Sequence, residues 1–564
     1  MRSLIKVAAM VFAVLISGCN SSTDTAPGAD VVVLGEFHTM NPDQPVAEAV
    51  AITDGRFSFV GEKNAVKEQI NKHTEVINLG SAVAYPGLID AHVHIASIGS
   101  AMRSVDLTGA ESFDQLVARV KARANVTRRG ATLLGRGWHQ SKWLQAPEGS
   151  VDGFPTHHAL SAAVPDHPVL LEHANGHSVL LNQKAMDQLG ISSSSIAPEG
   201  GVIVFRDGQP TGLLHETAIE LALPLQQYDI DAAVELIDLA QRHLLSQGIT
   251  TAHDAGALRV DIQAQEQMAQ VGSLSMRLYT MISAADTDVL AEWLKRGPEI
   301  NLGDNRLTVR SIKIQADGAL GSRTAWLHAP YTDAPDISGV LTYDLNTLST
   351  LIEQTRSDNW QINVHAIGDR ANSEVLDVFA PFTQRLIDHR FRIEHAQHLA
   401  PGDVPRFAEQ AVIASMQPIH LSSDRPWAID RLGRKRIEEG AYIWQKLLRA
   451  GAVVASGTDA PVEPVNPIAN FYAAVTRKTL SGKPSGGFEP AQRLTRHEAL
   501  YAMTMAAAYA GFEEQEKGSI EVGKLADLTV LSHDILTIPE AQILDTEVVM
   551  TVVGGEVLYQ QVDP

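Results

Sequence analysis

Cysteine is almost missing from this chain: Cys19 is the only one among 564 residues. No disulfide can therefore form within it, and no metal site can be built from several thiolates. Positive charge is also scarce. Lysine and arginine number 45 against 66 aspartates and glutamates, for a formal net charge of −21. Without a Lys/Arg cluster to grip phosphates, that balance argues against a nucleic-acid partner. The acidity keeps the surface soluble and names no substrate. What the chain does have is length and apolar content (45% hydrophobic), enough for a large core in several domains or around one big barrel.

The first residues read as a targeting segment. Arg2 and Lys6 precede Val7–Ile16, an apolar run too short to span a membrane as a helix, and Ser17, Gly18 and Cys19 follow. Residues 1–19 are therefore set apart from the fold. The order Ile16-Ser17-Gly18-Cys19 resembles a bacterial lipoprotein lipobox. That resemblance implies lipid attachment at Cys19 and, with Asn20 rather than Asp next, export and anchoring to the outer membrane on its periplasmic face. An ordinary cleaved signal peptide is the alternative. Residues 20–30, rich in Ser, Thr, Ala, Pro and Gly, suit a flexible tether.

Residues 31–81 carry short strand candidates at Val31–Leu34, Ala49–Thr53 and Phe57–Val60, with Asp54-Gly55 as a hairpin turn. The C-terminal segment, residues 512–564, has the same texture at Leu528–Leu531, Val548–Val553 and Val557–Tyr559. Neither half has enough apolar strand to fold alone, so the two are expected to form one small β-sandwich. Between them, residues 82–511 hold eight apolar strand candidates: Ala82–Ile89, Ile249–Ala252, Met276–Ile282, Thr308–Ile314, Gln361–Val364, Phe391–Ile393, Val412–Met416 and Ala452–Ala455. Helical stretches such as Ala232–Gln247, Leu345–Asn359 and Thr495–Tyr509 separate or follow them, the last with a Thr495/Glu498 capping box. Strand–helix alternation on this scale predicts an α/β fold, a (β/α)8 TIM barrel. The interval of about 104–229 breaks the rhythm and is too long for a loop, so it is expected to be an inserted lid subdomain.

The ends of the strands carry the chemistry. The first runs into Asp90, His92 and His94, and residues two apart on a strand share a face. Lys313 interrupts the fourth strand, His365 ends the fifth, His395 the sixth and Asp459 the eighth. Each breaks an apolar run at the edge where parallel barrels keep their active sites. Imidazole and carboxylate are the ligands of Zn²⁺ and similar divalent cations. His92, His94 and Asp459 suit one ion, with His365 and His395 on a second. Lys313 is the odd member. Burial lowers a lysine's pKa, and a neutral amine can take up CO₂ to form a bridging carbamate. The alternative is an amine or ammonium neutralised by Asp317.

These motifs resemble the amidohydrolase superfamily of urease-like, metal-dependent hydrolases. PGLIDAHVH around His92 and His94, the isolated His365 and His395, Gly457-Thr458-Asp459 and GSIEVGKLADLTVL (Gly518–Leu531) occur in the family's order. Gly135–Trp143, Asn175–Asn182 and Ile312–Asp333 resemble the branch that includes N-substituted formamide deformylase. The resemblance implies His92 and His94 on a first metal, His365 and His395 on a second, carbamylated Lys313 between them, and Asp459 touching the first metal and the attacking water. One or two ions, zinc foremost, would activate water for attack on a C–N bond of an amide, formamide or cyclic amide. Asp459 would be the catalytic base, taking the water's proton and returning it to the leaving nitrogen.

Residues read as facing a small-molecule substrate are His177, Asp317, Arg323 and Trp138. His177 serves equally as a structural histidine of the lid. Arg323 suits either a substrate carboxylate or a neighbouring acid. Trp138, His139 and Trp143 line either the mouth or the lid's own core. Ester or phosphoester cleavage on the same site is the nearest competing chemistry, and a regulatory or binding lipoprotein the competing class.

Overall fold

The computed structural model describes residues 28–140, 143, 145–151, 153–173, 178–198, 201–355 and 359–561. Eight parallel strands form a nearly closed barrel: β1 (Leu88–Val93), β2 (Ile249–Ala257), β3 (Arg277–Ser283), β4 (Leu307–Gln315), β5 (Gln361–Ala366), β6 (Arg392–His395), β7 (Ile413–Met416) and β8 (Val454–Ser456), neighbours in that order. The strands β1, β6, β7 and β8 are buried at every residue, as parallel strands covered by helices must be. Helices such as Ile230–Ser246, started by the Asp229 side chain on the amide of Ala232, form the outer layer.

The seam between β8 and β1 is closed just beyond β8. Asp459 N–H donates to the His92 carbonyl at 2.8 Å, and His94 N–H donates to the Ala460 carbonyl at 2.9 Å. Asp90 ties the seam from below. Its carboxylate accepts the Thr458 amide at 2.9 Å and the Thr458 hydroxyl at 2.6 Å.

Both ends of the chain share one seven-stranded sheet. Its order is Glu556–Gln560, Val548–Val553, Leu528–Leu531, Glu75–Pro86, Val31–His38, Val46–Thr53 and Arg56–Gly61. The pairing of Val31–His38 with Glu75–Pro86 shifts register between Leu34 and Glu36, and the two halves of the sheet close over Phe37, Ile52, Phe57, Val530, Met550 and Val552. The expected sandwich is thus a single sheet folded on itself, its Gly55 turn reaching the Gly554 turn. A buried bidentate pair, Arg277 to Asp527 at 2.8 Å for both contacts, fastens it to the barrel at β3.

A third sheet of six strands runs Gly201–Arg206, Gln209–Glu216, Ser178–Leu181, Val169–His173, Leu133–Trp138, Val105–Asp106. It occupies the interval between β1 and β2 that was read as an insertion.

Two elements differ from the reading of the sequence. Ala82–Ile89 is not one strand: residues through Pro86 belong to the terminal sheet, and β1 begins at Leu88. Gly87 makes the step, its amide donating to the Asp527 carbonyl at 2.9 Å while a Cβ there would collide with Thr250. The helix over 495–509 is two, Arg496–Ala502 and Met505–Ala510. Its capping box forms as expected. The break comes where the Met503 carbonyl is taken by Ile89 N–H of β1 at 2.8 Å, and the Thr504 hydroxyl bonds back to the Leu500 carbonyl at 2.7 Å.

Candidate metal centre

His92 and His94 leave β1 two residues apart and converge on one carboxylate oxygen. Asp459 Oδ1 lies 3.5 Å from His92 Nε2 and 3.1 Å from His94 Nε2. The other oxygen, Oδ2, lies 3.5 Å from His420 Nε2. His395 packs its ring between those of His92 (4.8 Å) and His365 (4.5 Å). Two sets of donor atoms result, His92/His94/Asp459 and His395/His420/Asp459, each with all atoms within 4.8 Å of one another.

The backbone is bent to make this possible. Asp459 sits at φ +61° and His395 at φ +74°, in the left-handed region that non-glycine residues seldom occupy. Gly457, two residues before Asp459, passes so close to β1 that a Cβ would lie 2.6 Å from His92 N and 2.8 Å from Asp90 Oδ1. That approach is what the glycine of Gly457-Thr458-Asp459 is for.

The charge states suit a cation. Burial pushes the His92 imidazole down to about 4, against the pull of Glu394. Burial also holds His395 well below its ordinary range, with His365 beside it adding to the effect. Burial alone would raise Asp459, but the His94 hydrogen bond and the imidazoles around it bring it well below the carboxylate range. Neutral imidazoles around an ionised carboxylate are the protonation states metal binding requires. Among the described residues, His92 Nε2 and His420 Nε2 are buried without a hydrogen-bond partner, and an orphaned imidazole nitrogen facing a carboxylate is what a bound cation would satisfy. The residues fit a divalent ion of N/O preference such as zinc.

Lys313 projects from β4 beside this group. Burial lowers its pKa, and Glu394 and Asp459 are the anions that oppose the shift. Its facing charges are therefore not those read from sequence. Asp317 is wholly buried and spends its oxygens on loop amides, Ile367 at 3.0 Å, Gly368 at 2.8 Å and Trp326 at 2.8 Å. It organises the loop under His365, whose Nε2 lies 3.2 Å from the Gly318 carbonyl and 3.4 Å from Asp317 Oδ1. His365 thus lies against His395 but outside both donor sets.

Other candidates sit elsewhere. Trp138 is a core residue of the third sheet, fully buried, donating to the Leu171 carbonyl at 3.0 Å and stacked on Trp143. Arg323 forks onto Asp333 at 3.1 and 2.9 Å, an acid that Arg431 also contacts. His177 and Cys19 lie outside the described residues.

Three residues of the site escaped the sequence reading. Glu394 accepts from His92 Nδ1 at 2.6 Å, Gln417 pairs with His395 Nδ1 at 2.7 Å, and His420 faces Asp459. Signals existed. Glu394 is an acid in the middle of a buried strand, and β7, like β2 and β3, was left without a polar end group, although Gln417 and His420 follow directly on it.

An eight-stranded parallel barrel with imidazoles and a carboxylate gathered at its strand ends is the architecture of metal-dependent hydrolases. A model of the amidohydrolase family matches residues 75–559. The chain belongs to that family. YtcJ of Bacillus subtilis is 33% identical over 93% of this chain and 98% of its own length. The N-substituted formamide deformylase of Arthrobacter pascens is 25% identical over 94% of this chain and 98% of its own. Among solved structures, an uncharacterized metal-dependent hydrolase from Pyrococcus horikoshii superposes with a TM-score of 0.78 at 28% identity, covering 91% of this chain and 99% of that one.

Proposed function

We propose that this protein hydrolyses a C–N bond of an amide, formamide or cyclic amide at the site formed by His92, His94, His395, His420 and Asp459. The observation that carries the reading is the division of Asp459, one oxygen toward His92 and His94 and the other toward His420. These residues would hold a divalent cation, which would supply a lowered pKa for water, from about 15.7 to near 7, and a Lewis acid for a carbonyl. Asp459, ionised and buried, accepts the proton of the attacking water and returns it to the leaving nitrogen. His420, facing the outer oxygen, is a further donor toward the cation. Lys313 and His365 extend the donor set toward a second ion. Burial lowers the Lys313 pKa, and its amine in the neutral form would react with CO₂ by forming an N–C bond and losing a proton, which gives an anionic ligand. The deformylase relative supports the bond class.

The test combines metal content with intact mass for wild type and Lys313→Ala, together with activity on N-acyl, N-formyl and lactam compounds. Two ions in wild type, falling to one or none in the variant, are expected. An unchanged load removes the carbamate, and ester or phosphoester turnover without amide turnover moves the bond class. A cation-loaded protein inert on every class points to a binding role.

Membrane attachment at Cys19 rests on the lipobox-like sequence alone. Incorporation of labelled palmitate, lost in Cys19→Ala, is the expected result. Among the described residues no helix is long and apolar enough to cross a membrane.

A further inference from the structure

Beneath the metal donors, the barrel interior holds two full charges on one strand. Arg392 and Glu394 of β6 are both completely buried. Arg392 Nε and Glu394 Oε1 pair as charges at 2.7 Å without hydrogen-bond alignment, and Glu394 Oε2 accepts from His92 Nδ1 at 2.6 Å. Arg392 also reaches β1 directly. Its Nη2 donates to the Ala91 carbonyl at 2.6 Å and to Ser415 Oγ at 2.9 Å, while Nη1 lies 3.0 Å from His253 Nδ1.

We infer that Arg392 and Glu394 act together as a two-point clamp on His92, one point on its ring and one on the backbone just before it. The ring contact fixes the tautomer: with Nδ1–H given to Glu394, Nε2 keeps its lone pair toward Asp459. The backbone contact holds the strand at Ala91, so the ring cannot swing away as β1 breathes. Both oxygens of Glu394 are engaged, one by Arg392 and one by His92, which makes it a positioning residue and not a ligand. His94, by contrast, has among the described residues Asp459 as the hydrogen-bond partner of its ring.

A buried ion pair is a poor device for stability, because desolvation offsets much of its attraction. Apolar residues would fill the same volume at no loss. What they could not do is accept from one imidazole and grip one carbonyl at fixed positions. The inference rests on the cation reading of the site, and the experiment separates the two.

Co²⁺ and Zn²⁺ affinities are measured by chelator competition for wild type, Glu394→Gln and the double variant Arg392→Met with Glu394→Gln. The visible spectrum of the Co²⁺ form and urea stability of the metal-free proteins are recorded alongside. Glutamine offers one acceptor oxygen to two donors, so either His92 or Arg392 is released. Glu394→Gln is expected to weaken binding about 10–100-fold and to change the Co²⁺ spectrum. Removing Arg392 as well returns the single acceptor to His92, so the double variant should regain part of that affinity. It also leaves no unpaired buried charge, and it stands in should Glu394→Gln fail to fold, with binding weaker than wild type expected. Wild-type affinity and spectrum in a folded variant overturn the clamp. A wild-type protein that binds neither ion overturns the cation site instead.

Discussion

Histidines collect in two regions of this molecule, and they do different work. At the barrel mouth, His92, His94 and His420 turn nitrogens toward Asp459. In the third sheet, His173 meets Gln140 at 2.8 Å and packs edge-on to Trp138, His215 meets Ser178 at 2.7 Å and packs on Phe154, and His157 meets Ser161 at 2.9 Å. Among the described residues, no carboxylate brings the third-sheet histidines into a donor set; the mouth histidines have Asp459. The imidazoles at the mouth have an ionised acid to complete a donor set for a cation; those of the third sheet form a polar seam in a hydrophobic core.

The comparison breaks most visibly at the acid. Asp459→Asn keeps the shape and removes the charge and the base, and hydrolysis should fall by about 10²–10⁴-fold; full turnover in that variant would return Asp459 to the same standing as Gln140. Removing the cation is the next largest effect. A chelator should lower the melting temperature of wild type, by an amount equivalent to about 4 kcal/mol where the free ion exceeds its Kd a thousandfold, and lower that of His92→Ala by less. A paired substitution sharpens the contrast between regions. His420→Asn should cost cation affinity or kcat by about tenfold or more, the scale of a lost ligand contact. His173→Asn should leave both within twofold and cost about 1 kcal/mol of stability as a buried hydrogen bond is lost.

The smallest effect concerns acid. Burial pushes His157 down to about 4, with His158 beside it adding to the effect. An unfolded chain takes up that proton below about 6.5, while the folded one resists until about 4. Stability is therefore present at neutral pH and lost as the pH falls through that window. His157→Gln should flatten melting temperature against pH there, in the cation-loaded and cation-free protein alike. The corresponding slope from the mouth histidines should appear only once the cation is removed.

Strand ends were legible because period and position speak together. His92 and His94, two apart after an apolar run, and Asp459 after Gly457 needed only the β-strand repeat and the rule that barrels work at their carboxyl edge. Barrel strands three to eight were found within two residues of their true limits, since buried parallel strands read as unbroken apolar runs; strand two was read only to Ala252 and continues through His253 and Asp254 to Ala257. What escaped depended on partners distant in sequence. Glu394 matters because His92, from the far side of the barrel seam, points at it. His420 matters because a helix start brings it over Asp459. Trp138 could not be assigned to mouth or core until Leu171 and Trp143 were seen around it. The boundary at Pro86-Gly87 hid because an apolar run looks the same whether it serves one sheet or hands over between two.

The shared terminal sheet sets the order of assembly. Leu88, the first residue of β1, is held through its amide by Thr529 at 3.0 Å, and the sheet's last strand is Glu556–Gln560. A polypeptide leaving the ribosome must wait for residues 528–560 before this anchorage is whole. Until then the first two histidines hang on an unfastened ribbon, so competence to bind a cation waits on strands more than four hundred residues downstream.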